Sequence, residues 1–160
     1  MNSIKTAILS NLFEITLKSR ERFHQILEKT SKKDLLKIPD GFRNNIWWNI
    51  AHVLVTQQLL TYKMSGLQMH VSDKLVNKFK KGSVPDGTAP DDEIKSVKEL
   101  LIATVQKTQS DYDKGIFENF NEYTTSAKVT LRNIDDALAF NVYHEGLHLG
   151  TILSLQKKLS

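Results

Sequence analysis

Apolar residues recur along the chain at intervals of three and four, the spacing that gathers them on one face of an α-helix. Over about residues 3–28 the set is Ile8, Leu12, Ile15, Phe23 and Ile26, flanked by Leu9 and Leu27, and the other side is Lys, Arg and Glu. Pro39, Asp40 and Gly41 break the pattern. Asn44 or Asn45 then offers a side-chain cap for a second helix that runs to about Ser65 and stops at Gly66. This second helix is apolar nearly all round in its first half. Trp48, Val55, Leu59 and Tyr62 form one face, and Trp47, Ile50 and Leu54 form much of the opposite one, so it has to be covered on two sides. In so short a chain, the expected second cover is another copy of the protein, making a homodimer on the outer side of this helix.

A short helix is expected over residues 71–81, capped by Ser72 and stopped by Gly82, and Pro85, Gly87 and Pro90 then mark a surface loop. Asp91, Asp92 and Glu93 load the first turn of a third long helix, where negative charge meets the positive end of the helix dipole. Its inward set is Ile94, Val97, Leu101, Val105 and Tyr112, with Thr104 and Thr108 between, and it ends by Gly115. Residues 116–133 carry Phe117, Phe120, Tyr123, Val129 and Leu131 without helical period, which predicts a long ordered connection, partly extended. Asn133 caps the last helix, with Asp135 and Asp136 in its first turn and Lys157 and Lys158 in its last. Four long amphipathic helices, with long connections between the second and third and between the third and fourth, predict an all-α four-helix bundle in one domain over residues 1–160.

Composition narrows the chemistry. The 160 residues are 40% hydrophobic and 25% charged, enough for a core that needs neither disulfides nor a structural metal. There is no Cys, which excludes a disulfide scaffold, a thiolate zinc site, an iron–sulfur cluster and a cysteine nucleophile. Metal chemistry must therefore use His, Asp or Glu. No apolar run approaches the ~20 residues that cross a bilayer and no signal peptide is readable, so a cytoplasmic protein without a membrane partner is expected. The formal net charge is +4, and the one Lys cluster, Lys74, Lys78, Lys80 and Lys81, lacks interleaved aromatics. That cluster reads as a solvated face, and a nucleic-acid partner is not expected.

At 100° per residue the core face of the last helix reads Ile134, Ala137, Asn141, His144, His148, Ile152, Leu155 and Leu159. Two histidines thus sit at the centre of an apolar stripe, and their i,i+4 spacing puts both imidazoles on one side, where one metal ion can take both. His52 lies likewise on the second helix, between Trp48, Val55, Thr56 and Leu59. Isolated polar rings on core faces are costly unless paired or coordinated, so three inward histidines on two helices define a candidate metal site with open positions. The alternative is three neutral histidines that each hydrogen-bond a neighbour.

His144-Glu145-Gly146-Leu147-His148 also matches the zincin signature H-E-x-x-H, in which the Glu is a general base. The 12 residues after His148 include no Asp, Glu or His, so the downstream third ligand of common zincins is missing. A third ligand has to come from upstream, and His52 is the candidate.

The segments Asn45-Ile46-Trp47-Trp48-Asn49-Ile50-Ala51-His52-Val53 and Ala139-Phe140-Asn141-Val142-Tyr143-His144-Glu145-Gly146-Leu147-His148-Leu149-Gly150 resemble the DinB-like family, named after damage-inducible proteins. The resemblance covers nearly the whole chain. Its motif, one His on the second helix and His-x-x-x-His on the fourth, falls on His52, His144 and His148. It implies a divalent metal, often nickel or zinc, and frequently a homodimer. Some members are thiol-dependent transferases and others are regarded as metal-dependent hydrolases, while many have no known activity. With no Cys in the chain, a thiol would be supplied by a low-molecular-weight cosubstrate acting on an unknown small molecule. The competing reading is a non-catalytic dimeric metal-binding or stress-response module. An enzyme should have a solvent-reachable pocket beside the metal, and a structural module a closed site.

Around these positions, Glu145 lies about 60° round the helix from His148, where it is a candidate catalytic base for a metal-bound water or a support for a ligand. Its alternative is a charge on the bundle edge. Asn49 and Asn141 flank the ligand positions and either orient imidazoles or tie helices together. His24 and His70 read as ordinary surface residues, and Trp47 and Trp48 as packing residues, one in the core and one at a partner surface.

Overall fold

Asn45 starts the helix around which the rest of the protein is built. In the computed structural model, which describes residues 3–159, its side chain accepts the backbone N–H of Trp48 at 2.8 Å and caps α3 (Ile46–Gln58). Every residue of α3 except Thr56 is buried. The cover comes from α1 (Ser3–Lys29), α2 (Lys32–Leu36), α4 (Asp73–Phe79), α5 (Asp91–Asp113) and α6 (Ile134–Leu159). Two pairs of strand residues, β1 (Tyr123–Thr124) and β2 (Thr130–Leu131), form a small antiparallel hairpin before α6. The protein is all-α apart from this hairpin. Among the long helices, α1 packs on α5 and α6, and α3 packs on the same two. The main core runs through Phe23, Ile26, Trp47, Ile50, Leu101 and Ile152. No helix among the described residues is long and apolar enough to cross a membrane.

The expected outward face of Trp47, Ile50 and Leu54 is corrected by this arrangement. All three are buried within one chain, and Trp47 meets the Phe79 ring of α4 edge-on at a centroid distance of 5.5 Å. The second cover that the apolar pattern demands is supplied by short helices and α5, not by that face meeting a second copy. One short helix not expected from the sequence pattern, α2, is capped by Ser31.

The buried face of α1 also differs from the expected one. Leu9, Phe13, Thr16, Arg20, Phe23 and Leu27 are buried, whereas Ile8 is 56% and Ile15 50% exposed. Reading only apolar residues rotated the face, because a charged residue, Arg20, occupies one of its central positions. The second helix is also not uniformly α. At Leu59–Lys63 it opens into a π turn, with the Met64 N–H donating to the Leu59 carbonyl, and Gly66 then takes a positive φ of 71°. Such single-turn bulges accumulate at functional sites.

Candidate metal centre

Direct packing of α3 against α6 brings His52 to the pair His144 and His148. One ring nitrogen from each lies within 4.8 Å of the other two. The ring centroids are 5.2 Å apart for His52 and His144, 4.8 Å for His52 and His148, and 4.5 Å for His144 and His148. The three residues singled out from sequence therefore meet in one place. Trp48 stacks on His52 at 4.4 Å with the planes 11° apart, so this tryptophan serves as a wall of the site.

Hydrogen bonds determine which nitrogens remain available. His52 Nδ1 lies 2.6 Å from the Phe79 carbonyl oxygen, which can only accept. The proton is therefore on Nδ1 and the lone pair on Nε2. His148 Nδ1 lies 2.7 Å from Asn49 Oδ1. The orientation of that amide follows from its other end, where Nδ2 donates to Asn44 Oδ1 at 2.8 Å and to the Asn45 carbonyl at 2.7 Å. Oδ1 therefore faces the ring, and His148 also keeps its lone pair on Nε2. Ligating histidines are commonly held this way, by a carbonyl or amide on the far nitrogen. His144 Nδ1 is buried and meets no partner among the described residues.

The rings are neutral over the physiological range. Burial lowers the pKa of His52, against the opposing effect of the Phe79 carbonyl. Burial, and then the positive charges of His148, His52 and Arg20, push His144 down to about 3. Burial and His52 push His148 down to about 4. Three uncharged imidazoles, two with defined tautomers and the third with an orphaned nitrogen, fit the donor set that a divalent ion of intermediate softness takes.

All three histidines open onto a cavity of about 430 Å³. Its walls include Thr56, the one residue of α3 that is not buried, together with Leu59 and Leu60 of the π turn, Phe140 and Leu147 of α6, and Tyr123 of the hairpin. Sequence reasoning missed most of these residues. They come from three separated stretches of the chain, and no spacing rule links them.

Glu145 lies elsewhere than the cavity lining. It is 1% exposed, and its Oε1 accepts from Arg20 Nε at 2.9 Å, Arg20 Nη2 at 2.8 Å and Asn141 Nδ2 at 2.8 Å. It is therefore neither an exposed bundle-edge charge nor a residue open to the cavity. Of the two candidate asparagines, Asn49 touches an imidazole and Asn141 supports the ion pair. His24 stands 3.7 Å from Glu28 at the surface. His70, expected as a plain surface residue, packs edge-on to buried Tyr62 at 4.6 Å and lies 3.8 Å from Asp111.

Compared with known families, the chain matches the DinB superfamily over residues 16–152. It belongs to that superfamily. The match spans α3 and the part of α6 that carries the histidines. No curated protein matches the chain.

Proposed function

We propose that His52, His144 and His148 bind one divalent metal ion per chain, and that the centre is catalytic. The single observation behind the second half is the cavity of about 430 Å³ onto which all three histidines open. Structural metal sites close with four protein ligands, whereas catalytic ones combine three with a solvent-reachable position. A bound ion supplies Lewis acidity and brings the pKa of an adjacent water or thiol toward neutrality.

The residues of this chain do the rest. Asn49 and the Phe79 carbonyl hold the Nδ1 protons of His148 and His52, which leaves both Nε2 lone pairs available to an ion. Leu59, Leu60, Phe140 and Leu147 give the reacting space an apolar lining. Thr56 Oγ1 lies 3.3 Å from His52 Nε2 and carries a rotatable proton beside the reacting space. Nickel or zinc suits an all-imidazole set, and the reaction is transfer of an external thiol to an electrophile or hydrolysis by water. Glu145 enters as the support of α6 on α1, not as the base.

Elemental analysis of protein purified without a polyhistidine tag tests the metal, and His148→Ala tests the ligands. We expect one ion per chain, loss of binding in the variant, and an unchanged circular dichroism spectrum. Failure of the native protein to take up nickel or zinc at micromolar concentration overturns the reading. For the chemistry, conjugation of a small thiol to an electrophile, or hydrolysis of an ester panel, should be lost in all three single His variants.

A further inference from the structure

The cavity beside the histidines has a charge pattern that the metal reading does not use. Its described lining contains two lysines, Lys63 and Lys81, and no Asp or Glu. Both lysines are exposed, and neither is paired with a described carboxylate. This is not the habit of the neighbouring surface, where Lys78 reaches both Glu93 at 2.7 Å and Asp86 at 3.3 Å. The walls between are Leu59, Leu60, Met64 and Phe140. A concave apolar surface lined by two lysines and by no described carboxylate is a binding site for a molecule with an apolar body and an anionic group.

The chain geometry adds a length. His52, Thr56, Leu60 and Lys63 follow one another at helical intervals along the same cavity wall. Lys63 is thus roughly 15 Å of helix axis from His52, and its own stem reaches back over part of that. Lys81 stands two residues beyond Phe79, whose carbonyl holds His52. A ligand that touches the histidine end and pairs with Lys63 has to be elongated and apolar over the stretch lined by Leu59 and Leu60.

We infer that the cavity takes an elongated organic carboxylate, whose apolar body lies along the π turn and whose charge is paired with Lys63 at the end away from the histidines, with Lys81 adding positive charge to the same lining. This names the substrate class of the centre proposed above and rests on that reading for its chemistry. Binding by the two lysines does not require the metal.

Isothermal titration calorimetry with 6-phenylhexanoate, 6-phenylhexan-1-ol and 6-phenylhexylamine tests it, on the full chain both metal-loaded and chelator-treated. The carboxylate should bind about tenfold tighter than the alcohol in both forms, the value of one good charge-assisted contact, and the amine should bind weakest. In Lys63→Gln/Lys81→Gln the acid and the alcohol should bind alike, with alcohol affinity unchanged. Both lysines are exposed and meet no carboxylate among the described residues, so this variant is expected to fold. Equal binding of acid and alcohol to the native protein, or no binding of any of the three, overturns the inference. So does an acid preference found only with metal and retained in the double lysine variant, since the ion would then be holding the carboxylate. An acid preference lost in the double variant, in a protein that takes up no metal, supports this inference while removing the metal reading.

Discussion

Arg20 and Glu145, 125 positions apart, form an ion pair at 2.8 Å with both side chains almost wholly excluded from solvent. The pair joins the middle of α1 to α6 at the residue next to His144, with Asn141 donating to the same carboxylate oxygen. Arg20 Nη2 also reaches the Val53 carbonyl at 3.3 Å, next to His52. One buried cation thus ties together the two helices that carry the histidines.

Removing one partner of such a pair leaves a buried charge without compensation. Arg20→Met should destabilise the protein by about 3–5 kcal/mol, and Arg20→Met/Glu145→Met should recover much of that loss. Urea unfolding of the single and double variants reads both. A single-variant cost below about 1 kcal/mol would show that the pair does not hold α1 on α6.

Asn49 should matter for the metal more than for the fold. Asn49→Ala removes the acceptor of the His148 Nδ1 proton and should weaken metal affinity about 10–100-fold. Asn49→Asp keeps an acceptor at that point and should retain binding. Competition titration against a chromophoric chelator measures both. Native affinity in the alanine variant would mean that His148 needs no orientation from outside.

The pH dependence has a defined sign. His144 and His148 are held at about 3 and about 4 in the folded protein, below the ~6.5 of an unfolded histidine. As pH falls, the unfolded chain takes up protons first, so stability is complete above about pH 6.5 and is lost toward pH 4 and below. Each ring contributes at most about 1.4 kcal/mol per pH unit in that window. The urea midpoint of chelator-treated protein should fall between pH 7 and 5, and His144→Asn/His148→Asn should flatten that fall. An equally steep fall in the variant would assign the effect to other groups.

Trp47 is a test of the corrected core. Its ring is 1% exposed and packs on Phe79 of the same chain, so Trp47→Ala should cost about 3–5 kcal/mol through the cavity it leaves. Denaturant unfolding measures the loss, and sedimentation should show the oligomeric state of the folded variant unchanged. A change of oligomeric state with little loss of stability would return this ring to a subunit interface.

The sequence by itself determined the long helices, their caps and the three histidines, because each rests on local rules. Ser72 and Asn133 cap the segments they are expected to cap, and of the two candidates Asn44 and Asn45 it is Asn45 that caps α3, since capping is decided within four residues. The i,i+4 pair His144 and His148 was legible for the same reason, and His52 through its position on an apolar face. What covers an apolar face is not a local property. The pattern required two covers for α3, and only the packing of α2, α4 and α5 showed that Trp47, Ile50 and Leu54 meet their own chain. Arg20 read as a polar residue on the outer side of α1 because its partner lies 125 residues away, and Glu145 was misplaced with it. The Phe79 carbonyl that holds His52 carries no residue signature at all, since every residue offers one. The cavity lining was hidden for the same reason as the ion pair: it is assembled from the π turn, the hairpin and two helices, and proximity between distant segments is decided by tertiary packing.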